Sequence, residues 1–361
     1  MAPSPDVKIL VAPLDWGLGH TTRCIPIIRE LQAAGCQVLF AAAGPAARLI
    51  EQEFPGIQIL PLGGYQVHFS GKRPGIQLAI QIPKIWMAIR REHRWLKALV
   101  KTMKIQAVIA DNRWGLHHPE IPCVFITHQL HIITSYGIWL DRLASRINYW
   151  FIRKFTACWV PDLAGAPGLA GNLSHPASLP GPTFYLGCLS RLDKLPVSIP
   201  KYDLAILISG PEPQRTQFEN KILSQLSGTG KTAVMVSGQP DKSFDLMLSP
   251  QVRHISHLPA DQISKIIQES GLVICRSGYT TLMDLMKLGK RAVLVPTPGQ
   301  PEQEYLAAHM MRQGWFYAVR QDDLMLDRLE SALSGFPFTV PEMIQKEHFQ
   351  ETVREFLNGI K

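Results

Sequence analysis

The chain has 361 residues, of which 46% are hydrophobic and 18% charged, with a formal net charge of +8. That is the make-up of a soluble globular protein with room for two cored domains. The basic balance favours an anionic partner, whether nucleic acid, phosphorylated substrate or acidic membrane surface. No segment is long enough to span a bilayer, and the first apolar run is too short for a secretion signal. The six cysteines (24, 36, 123, 158, 188 and 275) show no CxxC or CxxH spacing, which points to free buried thiols in a reducing compartment.

In chain order, Val7 to Pro13 reads as an all-apolar strand of the kind buried on both faces of a parallel sheet. The loop Asp15-Trp16-Gly17-Leu18-Gly19-His20 follows, then a helix from about Thr21 to Ala34 closed by Gly35, then a strand from Gln37 to Ala42. This βαβ unit has a Gly-rich first turn but lacks the third glycine of a dinucleotide fingerprint. Ala46 to Glu53 reads as a short helix. Strands follow at Ile57 to Leu60, at Ala107 to Ala110 ending in Asp111, and at Val124 to Ile126 ending in Thr127-His128-Gln129. The alternation predicts a doubly wound domain.

Two stretches, Ile82 to Lys101 and Ile138 to Phe155, combine apolar and aromatic residues with arginines and lysines. The ordinary reading is a core-facing helix with a solvated basic face. The sharper one is a peripheral contact with an anionic membrane.

Pro161 to Pro182 is rich in Pro, Gly, Ala and Ser and reads as irregular, and Lys194 to Lys201 reads as a linker. The expected layout is therefore a first domain over 1–193, a linker over 194–201, a second α/β domain over 202–340 and a C-terminal helix over 341–361 packing back on the first domain. The second domain reads as strand Leu204 to Ile208, helix Gln214 to Leu226, strand Thr232 to Val236 and helix Ala260 to Glu269. Strand Leu272 to Cys275 then runs into Arg276-Ser277-Gly278 and a helix. A further strand, Ala292 to Val295, leads to a loop carrying Glu302, Gln303 and Glu304. Strand ends and a helix start converge there, as at an anion site of an α/β protein.

Candidate chemistry follows from these positions. Gly17 and Gly19 allow a backbone to approach a ligand closely, and His20, at the mouth of the sheet, suits a base of near-neutral pKa. Asp111 either orients that imidazole or merely caps a turn. Ser209 and Gly210 follow one strand of the second domain. Arg276, Ser277, Gly278, Thr280 and Thr281 offer hydroxyls, N–H groups and a positive charge to phosphate oxygens. Asp284, one turn on, suits the vicinal hydroxyls of a ribose. Ser227 to Thr232 imitates a P-loop, but Gln225 stands where its first glycine belongs and the segment precedes a strand, so it reads as a surface turn.

Taken together, the chain resembles the GT-B glycosyltransferases, most closely the MurG-type N-acetylglucosaminyltransferases that act on lipid-linked precursors. The likeness covers nearly the whole chain and is specific in Cys275-Arg276-Ser277-Gly278, in the spacing of Thr281 and Asp284, and in the Pro296 to Gln303 loop. It implies an α/β fold of the GT-B type, with two Rossmann-like domains facing a central cleft. It also implies that Asp284 holds the donor ribose, Gln303 the sugar hydroxyls, Arg191 the donor phosphates and the backbone near Leu258 the base. His20 with Asp111 resembles the His–Asp pair of related small-molecule UDP-glycosyltransferases. The chain departs from the family in its DWGLGH loop, in Pro211 at a donor-contacting serine position, in Thr127-His128-Gln129, and in Asp284 where glutamate is usual.

The expected activity is inverting, metal-independent transfer of a hexosyl or N-acetylhexosaminyl group from a nucleotide-diphosphate sugar, in particular a UDP-sugar. Helix dipole, Arg276 and Arg191 would stabilise the leaving diphosphate. No Asp-x-Asp motif occurs, and neither a metal nor a cofactor is expected beyond the sugar nucleotide as co-substrate. The acceptor is unassigned, with a lipid-linked one implied by the family. A nucleotide-sugar 2-epimerase and a non-catalytic nucleotide-sugar binder are the rival readings. A nucleic-acid partner is not expected, and the expected location is the cytoplasm, at the inner face of the membrane if the basic stretches bind lipid.

Overall fold

The computed structural model describes residues 7–65, 74–134, 136–196, 199–341 and 346–360. It divides into two compact units, Met1–Leu189 with Gln345–Lys361, and Ser190–Ile344. Each is a twisted sheet with flanking helices, the α/β arrangement expected of two Rossmann-like domains.

The first unit is built on seven parallel strands: β1 (Lys8–Pro13), β2 (Gln37–Ala42), β3 (Gln58–Pro61), β4 (Ala107–Asp111), β5 (Cys123–Ile126), β6 (Ala157–Val160) and β7 (Thr183–Tyr185). Their order across the sheet is β3-β2-β1-β4-β5-β6-β7. The central strands are short and apolar because both their faces are covered, and Ile9, Leu10, Val11, Val108, Ile109 and Phe125 have no exposed surface. The helices are α1 (Leu18–Ala33), α2 (Gly44–Glu53), α3 (Pro74–Met103) and α4 (Ile138–Ile152). Helix α1 begins three residues before the expected Thr21, because Gly17 takes a positive φ of 86° and turns the chain straight into the helix.

The second unit has strands β8 (Tyr202–Leu207), β9 (Ala233–Val236), β10 (Asp245–Ser249), β11 (Val252–Ile255), β12 (Ser270–Cys275), β13 (Ala292–Leu294) and β14 (Tyr317–Ala318). The order is β10-β11-β9-β8-β12-β13-β14, with β10 running antiparallel to β11 and the other pairs parallel. Its helices are α5 (Gln214–Leu226), α6 (Ala260–Gln268), α7 (Tyr279–Leu288), α8 (Pro301–Arg312) and α9 (Leu329–Leu333). The β10–β11 hairpin has no counterpart in the expected order of elements. The turn at 227–229 follows α5, and Thr229 Oγ1 donates to the Leu226 carbonyl.

The linker expected over 194–201 lies inside the second unit. There Leu195 N donates to Gln268 Oε1 at 2.7 Å, Ser264 Oγ to the Asp193 carbonyl at 2.7 Å, and Lys201 N to the Glu269 carbonyl at 2.7 Å. These bonds tie the segment to α6 and its end. The last helix, α10 (Lys346–Asn358), belongs to the first unit. Phe356 meets the buried Trp159 edge-on at 5.3 Å, and Gln350 donates to Glu30 of α1 at 3.0 Å.

In both sheets the strand order reverses about the first strand, between β1 and β4 in one and between β8 and β12 in the other. Loops leaving the carboxyl ends of such a pair diverge to opposite faces and leave a crevice, which is where open α/β sheets bind ligands.

Candidate functional site

At the first switch point the register sets Pro13 beside Asp111. The loop after β1 ends at Gly17, Gly19 and His20 lie in the first turn of α1, and β4 ends on Asp111, so the two strands bring His20 and Asp111 together. His20 Nδ1 lies 2.9 Å from Asp111 Oδ1, with the imidazole 17% exposed and the carboxylate fully buried. Asp111 is an imidazole partner and not simply a turn former. Burial by itself would raise its carboxyl. The positive charges of Arg23 and His20 and their hydrogen bonds outweigh that and hold it far below the usual carboxylate range.

Arg23, which sequence reasoning passed over, is the residue that makes this balance. It lies on α1 one turn after His20 and is 2% exposed. Its Nε and Nη2 donate to the two oxygens of Asp111 in a bidentate fork. Its Nη1 is 3.2 Å from His128 Nδ1, and Nη2 is 2.8 Å from His20 Nδ1. The available signal was an arginine three residues after His20 in a helical stretch whose Cys24, Ile25, Ile27 and Ile28 are all buried.

A second buried pair supports the end of β4. The Arg113 guanidinium donates to the Pro13 carbonyl at 2.7 Å, the Gly63 carbonyl at 3.1 Å and Glu92 of α3 at 2.6 Å. Tyr65 donates to the same Glu92 at 3.0 Å. Gly115 passes so close to α3 that a Cβ there would meet the Ile89 carbonyl at 2.5 Å.

At the second switch point, Ser209 and Gly210 leave β8, and Arg276, Ser277 and Gly278 leave β12 ahead of α7. Gly210 and Ser209 are exposed, and Gly210 takes a φ of 109°. Gly278 is the N-cap of α7, and Thr280 and Thr281 lie in its first turn, so the helix start is placed to receive an anion. Arg276 is not part of that cradle. Its guanidinium turns inward over the Phe218 ring at 4.1 Å and donates to the carbonyls of Val295, Pro296 and Gln214 and to Gln321 Oε1. Burial pushes its pKa down to about 10. The expectation that Arg276 reaches diphosphate is thus corrected: its donors tie β12 and β13 to the start of α5. Ser277 is likewise fully buried, its hydroxyl donating to the Gln303 carbonyl at 2.8 Å.

Asp284 accepts from Ser190 Oγ at 2.5 Å. Burial drives its carboxyl up to about 6, against the opposing pull of the Ser190 hydrogen bond, Arg191 and Lys287. Arg191 also lies near enough to His257 to help burial lower that imidazole's pKa. Asp284, Arg191 and the Leu258 loop therefore gather at one edge. Gln303 bonds within its own loop, accepting from Thr297 N at 2.9 Å and donating to Gln300 Oε1 at 2.6 Å. Glu304 accepts from Gly299 N at 3.0 Å, and Glu302 stands beside them in the first turn of α8. The two Gln303 bonds use one acceptor and one donor position of its carboxamide.

Helix α3 keeps the core-facing apolar side and solvated basic face, with Ile89 and Leu96 buried and Arg90, Arg91, Arg94, Lys97 and Lys101 exposed, but α3 and α4 also expose apolar side chains. Trp139 is 79% exposed and Met87 63%, with Ile82, Ile138, Leu143 and Trp150 also exposed. Trp86 of α3 stacks on Trp150 of α4 at 6.0 Å, joining the two faces. Arg90, Arg142 and Lys154 lie over Trp86, Trp139 and Trp150. Among the described residues no helix is long and apolar enough to cross a membrane.

Residues 214–352 match the glycosyltransferase family 28 C-terminal domain. A protein of Methanosarcina acetivorans called an uncharacterized glycosyltransferase is 24% identical, over 94% of this chain and 98% of its own length. The UDP-N-acetylglucosamine--N-acetylmuramyl-(pentapeptide) pyrophosphoryl-undecaprenol N-acetylglucosamine transferase of Haemophilus ducreyi is 22% identical, over 87% of this chain and 86% of its own. Among solved structures, MurG of Acinetobacter baumannii superposes with a TM-score of 0.55 at 15% identity, covering 99% of both chains.

Proposed function

Because the chain is a glycosyltransferase with a family 28 C-terminal domain and the MurG-like GT-B fold, we propose that it moves a hexosyl or N-acetylhexosaminyl group from a UDP-sugar to an acceptor hydroxyl, inverting the anomeric centre without a metal ion. The observation that carries this reading is the His20–Asp111 pair, a partly exposed imidazole with a buried carboxylate on its Nδ1. In the Nδ1–H form Nε2 has a lone pair. It takes the acceptor proton as the hydroxyl oxygen attacks the anomeric carbon and the bond to the diphosphate breaks. A single displacement of this kind inverts the configuration.

In the second unit, the amino end of α7 and Arg191 supply the positive potential that the leaving nucleoside diphosphate needs. Asp284 supplies acceptor oxygens for the ribose hydroxyls. The Haemophilus relative's name specifies UDP-N-acetylglucosamine and a pyrophosphoryl-undecaprenol acceptor, which supports the UDP-sugar and a lipid-linked acceptor here. The apolar and basic side chains on α3 and α4 suit a bilayer with anionic headgroups, where such an acceptor would be met.

The test is UDP release from UDP-N-acetylglucosamine and UDP-glucose, with and without a lipid-diphosphate sugar in vesicles. Release should depend on the acceptor and fall by about 10²-fold or more in His20→Gln. Steady formation of the 2-epimer without acceptor, or undiminished transfer by His20→Gln, would overturn the reading. In sedimentation with anionic vesicles at low salt, Trp139→Glu should weaken binding by about tenfold, since it removes a ring and adds a repelled charge. Equal binding by both proteins would remove this surface from the proposal.

A further inference from the structure

His20 Nδ1 has two partners with opposite requirements. The Asp111 carboxylate, 2.9 Å away, can only accept a proton, and the Arg23 guanidinium, 2.8 Å away, can only donate one. A neutral imidazole satisfies one at a time. With Nδ1–H donated to Asp111, Nε2 is a lone pair and can act as a base. With Nδ1 accepting from Arg23, the proton sits on Nε2 and the ring cannot take another there. The fork on Asp111 uses Nε and Nη2 of Arg23, and His20 Nδ1 lies within hydrogen-bond distance of the same Nη2.

We propose that Arg23 is a positioning residue that competes with Asp111 for Nδ1 of His20, and so sets how much of the imidazole stands in the base-competent tautomer. The inference rests on reading His20 as the base. Arg23 is itself held in place: its third nitrogen, Nη1, lies 3.2 Å from His128 Nδ1, which accepts from it when neutral. The charged and titratable groups about the pair are Asp111 from β4, Arg23 and Cys24 from α1, and His128 after β5. Arg23 therefore divides the neutral ring between two tautomers.

The test uses the full chain labelled with nitrogen-15 histidine, with His20 assigned by its loss in His20→Gln. The tautomer is read from the ring nitrogens of the neutral imidazole. In the wild-type chain the Nε2–H form of His20 should be measurably populated. In Arg23→Gln the ring should move to the Nδ1–H form. Arg23→Lys keeps the charge without the fork, so it should move the tautomer ratio the same way. A wild-type His20 held wholly as Nδ1–H, or a ratio that Arg23→Gln leaves unchanged, would overturn the proposal. If the glutamine variant does not fold, the wild-type spectrum decides by itself. The readout involves no turnover, so it is separate from the His20→Gln transfer assay, whose failure would remove the base and leave the competition for Nδ1 standing.

Discussion

Asp111 is the last residue of β4 and Asp284 lies on α7, the helix that follows β12; each of these strands borders a switch point, and the two carboxyls have opposite electrostatics. Asp111 has a guanidinium fork and an imidazole on its oxygens and is held as an anion. Asp284 accepts from one hydroxyl, and burial drives its carboxyl up to about 6 against the pull of that bond and of the charges of Arg191 and Lys287. Withdrawal from water is common to both, and the position of the counter-charge decides the outcome. One carboxyl is held as an anion by a guanidinium and an imidazole, and the other is pushed toward its neutral form.

The sharpest test of that contrast is stability. Asp111→Asn leaves Arg23 buried without its counter-ion and should cost about 3–5 kcal/mol at neutral pH. Because the folded-state pKa of Asp111 is depressed, its stabilisation exists above the unfolded value and is lost as pH falls through the folded one. The cost of the mutation, measured by urea unfolding, should therefore shrink in acid. A cost that persists unchanged in acid would mean that packing, and not the ion pair, holds the site.

The two arginines expected to serve the diphosphate provide a smaller test within the second unit. Arg276→Met removes bonds to three backbone carbonyls and should destabilise by about 2–3 kcal/mol. Arg191→Ala should change stability little and weaken UDP binding by about tenfold in calorimetry. The reverse pattern would return Arg276 to the ligand site.

The smallest effect has the opposite sign. A carboxyl whose folded pKa is raised to about 6 gives stability that is complete below the unfolded value and lost as pH rises through the folded one. Asp284→Asn should thus stabilise the ligand-free chain by about 1–2 kcal/mol above neutrality and by almost nothing near pH 4. It should also weaken UDP binding. Destabilisation at pH 8, seen in thermal unfolding, would show that Asp284 is already compensated.

Much of this was legible in the chain. Apolar runs ending in Gly17, Asp111, Gly210 and Gly278 marked the strand ends, because a strand buried on both faces admits polar residues only where it leaves the sheet. The pairing of His20 with Asp111 followed once β1 and β4 were neighbours. Side-chain direction was not legible. Arg276 and Arg23 each stand beside a site residue, and a sequence does not tell whether such a side chain faces a ligand or the interior. Arg23 was hidden by its apolar neighbours, which mark a core face where an arginine without a fixed counter-ion would be too costly. The β10–β11 hairpin was missed because β10 is a short edge strand whose Leu246, Met247 and Leu248 run together without polar alternation and are exposed.

The membership of α10 in the first unit bears on how the protein is made. Its partners, Trp159 and Glu30, are synthesised before the second unit, and α10 itself comes after it. During translation the second unit is contiguous and can close on its own as soon as its residues emerge. The first must wait with the α10-facing side of Trp159 uncovered. In a variant that keeps Trp159 as its one tryptophan, fluorescence should register the docking of α10 as the last step of assembly.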